Sequence, residues 1–145
     1  MNSQTPLNLA IQSAEDAALA ASIPDRVRNL VRSKGLRPAA SMLGTSIAAL
    51  YPFMDGRPVR QVRFLSSALE YIERGHDPRE IDTSDMPRLI LDTCRALGVN
   101  KTRLATIIGC TQPTLSHWMN TPGTRGRTIL AATLAMAVIR HEGRA

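Results

Sequence analysis

The sequence predicts an all-α protein built from two tandem small helical units joined by a short acidic linker. Three observations predict it. Alanine and leucine, both strong helix formers, dominate an apolar fraction of 43%, while aromatics make up only 3% of the chain. Apolar residues recur at i, i+3 and i+4 in short segments that Gly and Pro punctuate. Residues 40–55 are matched at 105–120 with a constant offset of 65: Ala40/Ala105, Leu43/Ile108, Gly44/Gly109, Ser46/Thr111, Leu50/Leu115, Phe53/Trp118 and Met54/Met119. At 145 residues the chain makes one ordinary domain or two very small ones, and buries about two-thirds of its unfolded surface. This composition argues against both an all-β sandwich and a disordered chain.

The elements follow in order. Residues 1–24 form an N-terminal arm or helix: 7–21 are Ala-rich and weakly amphipathic, and Ile23-Pro24-Asp25 is expected to break them off. The first unit spans 25–74. Its opening helix, 25–34, aligns Val27, Leu30 and Val31 and ends at Gly35. Pro38 suits the first turn of a short helix with Ala39, Ala40, Met42 and Leu43, which Gly44 ends. Ser46 caps the next, which carries Leu50 and Phe53, and Pro52 inside it is expected to kink or end it. Asp55-Gly56-Arg57-Pro58 reads as a turn, and 60–73 as a helix with Val62, Leu65, Leu69 and Ile72 on one side.

Residues 75–84, polar and acidic, are expected to be the linker. The second unit spans 85–145. Ser84 or Asp85 caps a helix that begins near Met86-Pro87, carries Leu89, Ile90, Thr93 and Leu97, and stops at Gly98. Asn100 caps a short helix with Leu104, Ala105 and Ile108, stopped by Gly109. Thr111 caps another with Leu115 and Trp118. A turn-rich loop over 120–126 leads to the last helix, 127–141, with Leu130, Leu134 and Val138 aligned.

Net charge is +6, and its distribution is blocky. Residues 1–25 carry −3, 26–63 carry +7, 64–85 carry −4 and 86–145 carry +6. Sixteen of the eighteen basic residues are Arg, whose planar fork makes bidentate contacts to phosphate and guanine that Lys cannot. Two basic blocks around an acidic stretch point to an anionic partner, nucleic acid first.

Residues 100–120 satisfy the physical needs of a helix-turn-helix. Ala105 lets two helices approach, Gly109 can take a positive φ in the turn, and Thr111 caps the second helix. Leu115 and Trp118 lock that helix to a core, which frees its other face for a major groove. On these residues the chain resembles the lambda-repressor/Cro-like (XRE-type) helix-turn-helix DNA-binding family over about 86–141. Asn120 falls near that family's usual Asn-Gly position, and helices 86–97 and 127–141 fit its small bundle. Pro113 departs from the pattern: the first helical turn tolerates it, but it cannot hydrogen-bond a base.

The resemblance implies base readout by Gln112, Ser116, His117 and Asn120, and phosphate contact by Lys101, Arg103, Thr111, Thr114, Arg125 and Arg127. It implies a buried, structural role for Leu115 and Trp118. The first copy is a degenerate second member. Ile47, Ala48, Tyr51 and Pro52 stand where Gln112, Pro113, Ser116 and His117 stand in the other copy, while Arg37, Arg57, Arg60 and Arg63 surround it. Phosphate contact by Arg37, Arg57 and Arg60 without sequence readout, or contact with another protein, are both open for it.

The function expected is therefore sequence-specific binding of double-stranded DNA by a small bacterial or phage-type transcriptional regulator, cytoplasmic and nucleoid-associated. The alternative is a protein-binding helical adaptor or inhibitor, antitoxin-like or phage-type, that reuses the fold. A homodimer is expected through 60–74 or through Leu130, Leu134, Ala137 and Val138. RNA polymerase or another regulator is a further expected partner, through the acids from Glu70 to Asp85. No membrane span is expected, since no apolar run reaches about 18 residues. Residues 1–22 lack a basic n-region and do not read as a signal peptide. No enzyme, metal or cofactor is expected. His76, His117 and His141 have no nucleophile at triad spacing, and Cys94, Cys110 and His117 do not follow a zinc-finger pattern. No Gly-rich phosphate loop occurs. The two cysteines are read as structural thiols in a reducing cytosol.

Overall fold

The described residues fold into eight α-helices and one short 3-10 turn, with no strand among them. The computed structural model describes residues 6–59, 61–120 and 126–143, the side chains of 6–12 and 118–120 excepted. The helices are α1 (Pro6–Lys34), α2 (Leu36–Met42), α3 (Ile47–Met54), α4 (Val62–Glu73), α5 (Met86–Leu97), α6 (Lys101–Ile108), α7 (Gln112–Asn120) and α8 (Arg127–Glu142). Most boundaries carry a local cause. Side chains of Ser46, Asp85 and Asn100 each accept a hydrogen bond from a backbone N–H three residues on, at 3.2, 3.1 and 2.8 Å, which satisfies donors that a helix start leaves open.

One expectation is corrected. Pro24 does not break the first segment: α1 runs continuously from Pro6 to Lys34 with Pro24 inside it. Ile23 and Val27 are both fully buried in one core, and a break between them would forfeit that burial. Tertiary packing outweighs the missing N–H. Pro52 lies in the last turn of α3, which ends two residues later at Met54. The segment 75–84, expected as the linker, packs against its neighbours. Pro78 is buried in the 3-10 turn Pro78–Glu80, the Tyr71 and His76 rings stack at 4.7 Å, and the turn packs on α2, α4 and α8.

The chain has two apolar cores. One gathers Ile23, Val27, Leu30, Ala39, Ala40, Met42, Leu43, Leu50, Leu65, Ala68 and Leu69; the other gathers Met86, Ile90, Cys94, Leu97, Leu104, Ala105, Ile108, Leu115, Leu130, Leu134 and Ala137. They are not independent. Ala132 of α8 lies in the first core and Phe64 of α4 in the second, while Ile129 packs against both. Helices α4 and α8 form the most extensive helix pair, closed at one end by Arg140, which donates to Glu70 Oε1 at 2.7 Å and to Ser67 Oγ at 3.4 Å. Burial acts to raise the Glu70 carboxyl, but the hydrogen bond and charge of Arg140, with Arg74 beside it, hold it below the usual carboxylate range.

Much of the two surfaces expected to pair two copies is buried inside one chain, with Val138 half-buried and Glu73 and Arg74 exposed. Leu130, Leu134 and Ala137 are buried, and residues 64–69 of α4 are buried throughout.

The internal repeat is longer than the 40–55 match. Upstream of it Ile23/Met86, Pro24/Pro87, Val27/Ile90 and Gly35/Gly98 correspond at an offset of 63, and the first three pairs sit alike, at the start of the helix segment that enters each core. Pro87 occupies the first turn of α5, where proline is at home. Pro24 holds the same place in a helix that has been extended backward over it.

Candidate nucleic-acid interface

The α6–turn–α7 segment is built as its sequence requires. The Asn100 side chain caps α6. Ala105 and Ile108 are buried, Gly109 takes φ +85°, and Leu115 is 1% exposed. The Thr111 hydroxyl accepts from the Thr114 N–H at 3.3 Å and shares a hydrogen bond with the Thr114 hydroxyl at 2.9 Å. Leu104, Ile108 and Leu115 belong to one core, which fixes α7 by its inner face and turns the other outward. Gln112, Pro113 and His117 are exposed, and Ser116 and Thr114 half-buried. Three of the four expected base readers therefore lie on the described part of α7, and two of them are fully presented. The Asn120 side chain lies outside the described residues, as do Arg60 and Arg125; the expected burial of Trp118 does too.

The first copy repeats the backbone but not the surface. Ser46 caps α3 through the Ala49 N–H, Gly44 takes φ +65°, and Leu50 is fully buried. Its outward positions are Ala48 and Tyr51, the latter 48% exposed.

The basic residues divide sharply by partner. Arg26, Arg28, Arg63, Arg74, Arg79, Arg88, Arg95 and Arg140 are each engaged with a carboxylate. Arg63 is the clearest case. Its guanidinium reaches Asp16 at 2.7 Å and Glu15 at 3.8 Å, so it braces α1 rather than standing free beside the first copy. Among the described residues, Arg37, Arg57, Lys101, Arg103 and Arg127 pair with no carboxylate. All five are expected phosphate contacts. Arg37, Arg57, Lys101 and Arg103 are exposed, while Arg127 is half-buried and donates to the Thr83 carbonyl at 3.5 Å. Arg32 at the end of α1 shares this condition and donates to Asn29 Oδ1 at 3.2 Å, whereas the charge of Lys34 acts on Asp77. They went unselected as individual sites, although the +7 block contains them.

Other chemistry is sparse. Cys94 is buried, and burial raises its thiol. Burial pushes the Cys110 thiol up to about 11, so at neutral pH it is a protonated packing group. Among the described residues no three His, Cys, Asp or Glu side chains gather as a metal site. A cleft of about 700 Å³ lies between α1, the start of α4 and the α6–α7 turn, with Asp16, Arg63, Thr106 and Cys110 on its walls. No described helix is long and apolar enough to cross a membrane.

Comparison of the chain with protein-family models, with curated proteins and with solved structures finds no match.

Proposed function

We propose that this chain binds double-stranded DNA in a sequence-dependent way and regulates transcription, acting in the cytoplasm on the nucleoid. One observation carries the reading. Helix α7 turns Gln112 and His117 outward from a core-locked face, and Lys101 and Arg103 at the start of the neighbouring α6 have no carboxylate partner among the described residues. Exposed cations without counter-charges are positioned to release counterions from a phosphate backbone. Gln112 suits an adenine edge and Ser116 several bases.

The reading of the chain as a protein-binding adaptor draws on a different observation, Tyr51 standing 48% exposed on α3 beside exposed Ala48.

Selection of preferred duplexes from a randomised pool, followed by anisotropy titration, separates the two. DNA binding by α7 predicts one enriched motif. Gln112→Ala with Ser116→Ala then lowers affinity for that motif by about 10-fold or more and erases the preference, while non-specific binding persists. A pool that returns no motif and no salt-dependent affinity rejects the reading.

A further inference from the structure

The two helix-turn-helix units meet by an approximate internal two-fold rather than by simple succession. Helices α2, α3 and α4 begin at residues 36, 47 and 62, and α6, α7 and α8 at 101, 112 and 127, so each pair is displaced by 65. The contacts between units cross at equivalent positions. Arg63 of α4 lies on the turn glycine of the second unit, where a Cβ on Gly109 would stand 2.7 Å from Arg63 Cδ. Thr128 of α8, 65 residues further on, lies on the turn glycine of the first, where a Cβ on Gly44 would stand 2.7 Å from Thr128 Cβ. The next residues repeat the exchange: Phe64 enters the second core, and Ile129 packs against the first. Position i of one unit touching j of the other, while i of the second touches j of the first, is the mark of an isologous contact. A head-to-tail repeat cannot produce it, because there each unit offers a different surface to each neighbour.

We propose that one chain is its own dimer and occupies a single DNA duplex as a monomer, at a site whose two halves are unlike. The inference rests on the DNA-binding reading above. The α4–α8 contact takes the place of a subunit interface, and Leu130, Leu134, Ala137 and residues 64–69, which would have paired a second copy, are buried within the one chain. Among the described residues the exposed large apolar ones, Tyr51, Leu91 and Ile107, lie on three different helices, α3, α5 and α6. Cations without carboxylate partners occur in both units, Arg37 and Arg57 in one, Lys101 and Arg103 in the other, so both touch phosphate. The outward face of α7 carries Gln112, Ser116 and His117, whereas that of α3 offers Ala48 and a single phenol, Tyr51. The second half of the site is therefore held chiefly through its backbone.

Sedimentation of the free full-length chain and of its complex with the selected duplex, together with the symmetry of the selected motif, tests this. The expected result is a free species of 15.8 kDa, one chain per duplex, and one block of specified bases with no inverted repeat. Arg37→Ala with Arg57→Ala should leave that motif unchanged while reducing the salt slope of log affinity by about 2, one per lost phosphate contact. Two chains per duplex on an inverted repeat would overturn the proposal and leave the DNA-binding reading standing. An unchanged salt slope in the double variant would overturn the role given to the first unit. A pool with no enrichment and no salt-dependent binding would overturn both readings at once.

Discussion

Gly44 and Gly109 hold the two turns, and each does two things at once. Both take positive φ, +65° and +85°, and both leave room for a side chain of the other unit. For Gly44 the neighbour is the branched Cβ of Thr128, which cannot swing aside as the end of a long chain does. Gly44→Ala should therefore cost about 1–2 kcal/mol for the left-handed backbone plus about 1–3 kcal/mol for overpacking. Gly75→Ala is the control: its φ is +93° with no atom within 4 Å, so only the backbone cost applies. Urea midpoints of the two variants check this, and equal losses would refute the close approach of Thr128. Cys110 supports a second expectation. Burial places its thiol near 11, against 9 when unfolded, so the unfolded chain ionises first. The Cys110 contribution to stability should be level below pH 9 and fall as pH rises from 9 towards 11, and Cys110→Ala should lessen the alkaline fall. At pH 8 native Cys110 should react with iodoacetamide about 100-fold more slowly than a thiol of ordinary pKa, because two pH units of ionisation are missing. Peptide mass mapping over time reads that rate.

Helix α1 shows where local rules lose to packing. Proline inside a helix removes one hydrogen bond and crowds the preceding turn, which costs about 3 kcal/mol. Yet α1 carries Pro24 through because Ile23 and Val27 are anchored in the same core. The turn that precedes the ring is made of small residues, Ala20 and Ala21 among them. Pro24→Ala restores an N–H for the Ala20 carbonyl, and should raise stability by about 1–2 kcal/mol after the looser unfolded chain takes back part of the gain. Thermal unfolding followed by circular dichroism checks the sign; a lower midpoint would mean that the ring itself packs better than the helix gains. The other boundaries were legible because their causes are local. Gly35, Gly98 and Gly109, and the caps Ser46, Asp85 and Asn100, act within four residues of themselves. Pro24 misled because what overrides it lies elsewhere in the chain. The candidate site divides in the same way. Gln112, Lys101 and Arg103 could be located from motif spacing alone. That Arg63 is bound to Asp16, 47 residues away, could not, since charge runs do not disclose which cations are already paired.

The constant offset of 65 made a repeat readable in the sequence, but not how its copies meet. Periodicity tells which face of α4 or α8 is apolar and is silent on what covers it. Most of each face is buried inside the one chain: Leu65, Ala68 and Leu69 of α4 lie in the first core, and Leu130, Leu134 and Ala137 of α8 in the second. This has a thermodynamic consequence. Two units tied by a flexible linker would unfold as two transitions, each with its own midpoint. Here Phe64 belongs to the second core by contact and to the first unit by sequence, Ala132 does the reverse, and Ile129 serves both. Losing either unit strips the shared faces of α4 and α8 from the other, so partial unfolding exposes apolar surface on both sides. One cooperative transition is expected for the whole chain. Leu50 is fully buried in the first core and Leu115 1% exposed in the second. Leu50→Ala and Leu115→Ala should each destabilise by about 2–5 kcal/mol, and each should shift the entire unfolding curve without splitting it. Urea denaturation followed at once by helical circular dichroism and by calorimetric enthalpy tests this. A biphasic curve in either variant, with part of the amplitude left at the wild-type midpoint, would mean that the α4–α8 contact is too weak to couple the cores. Coincident single transitions in both would establish that the two halves of the chain share one folding equilibrium, as the self-paired arrangement proposed above requires.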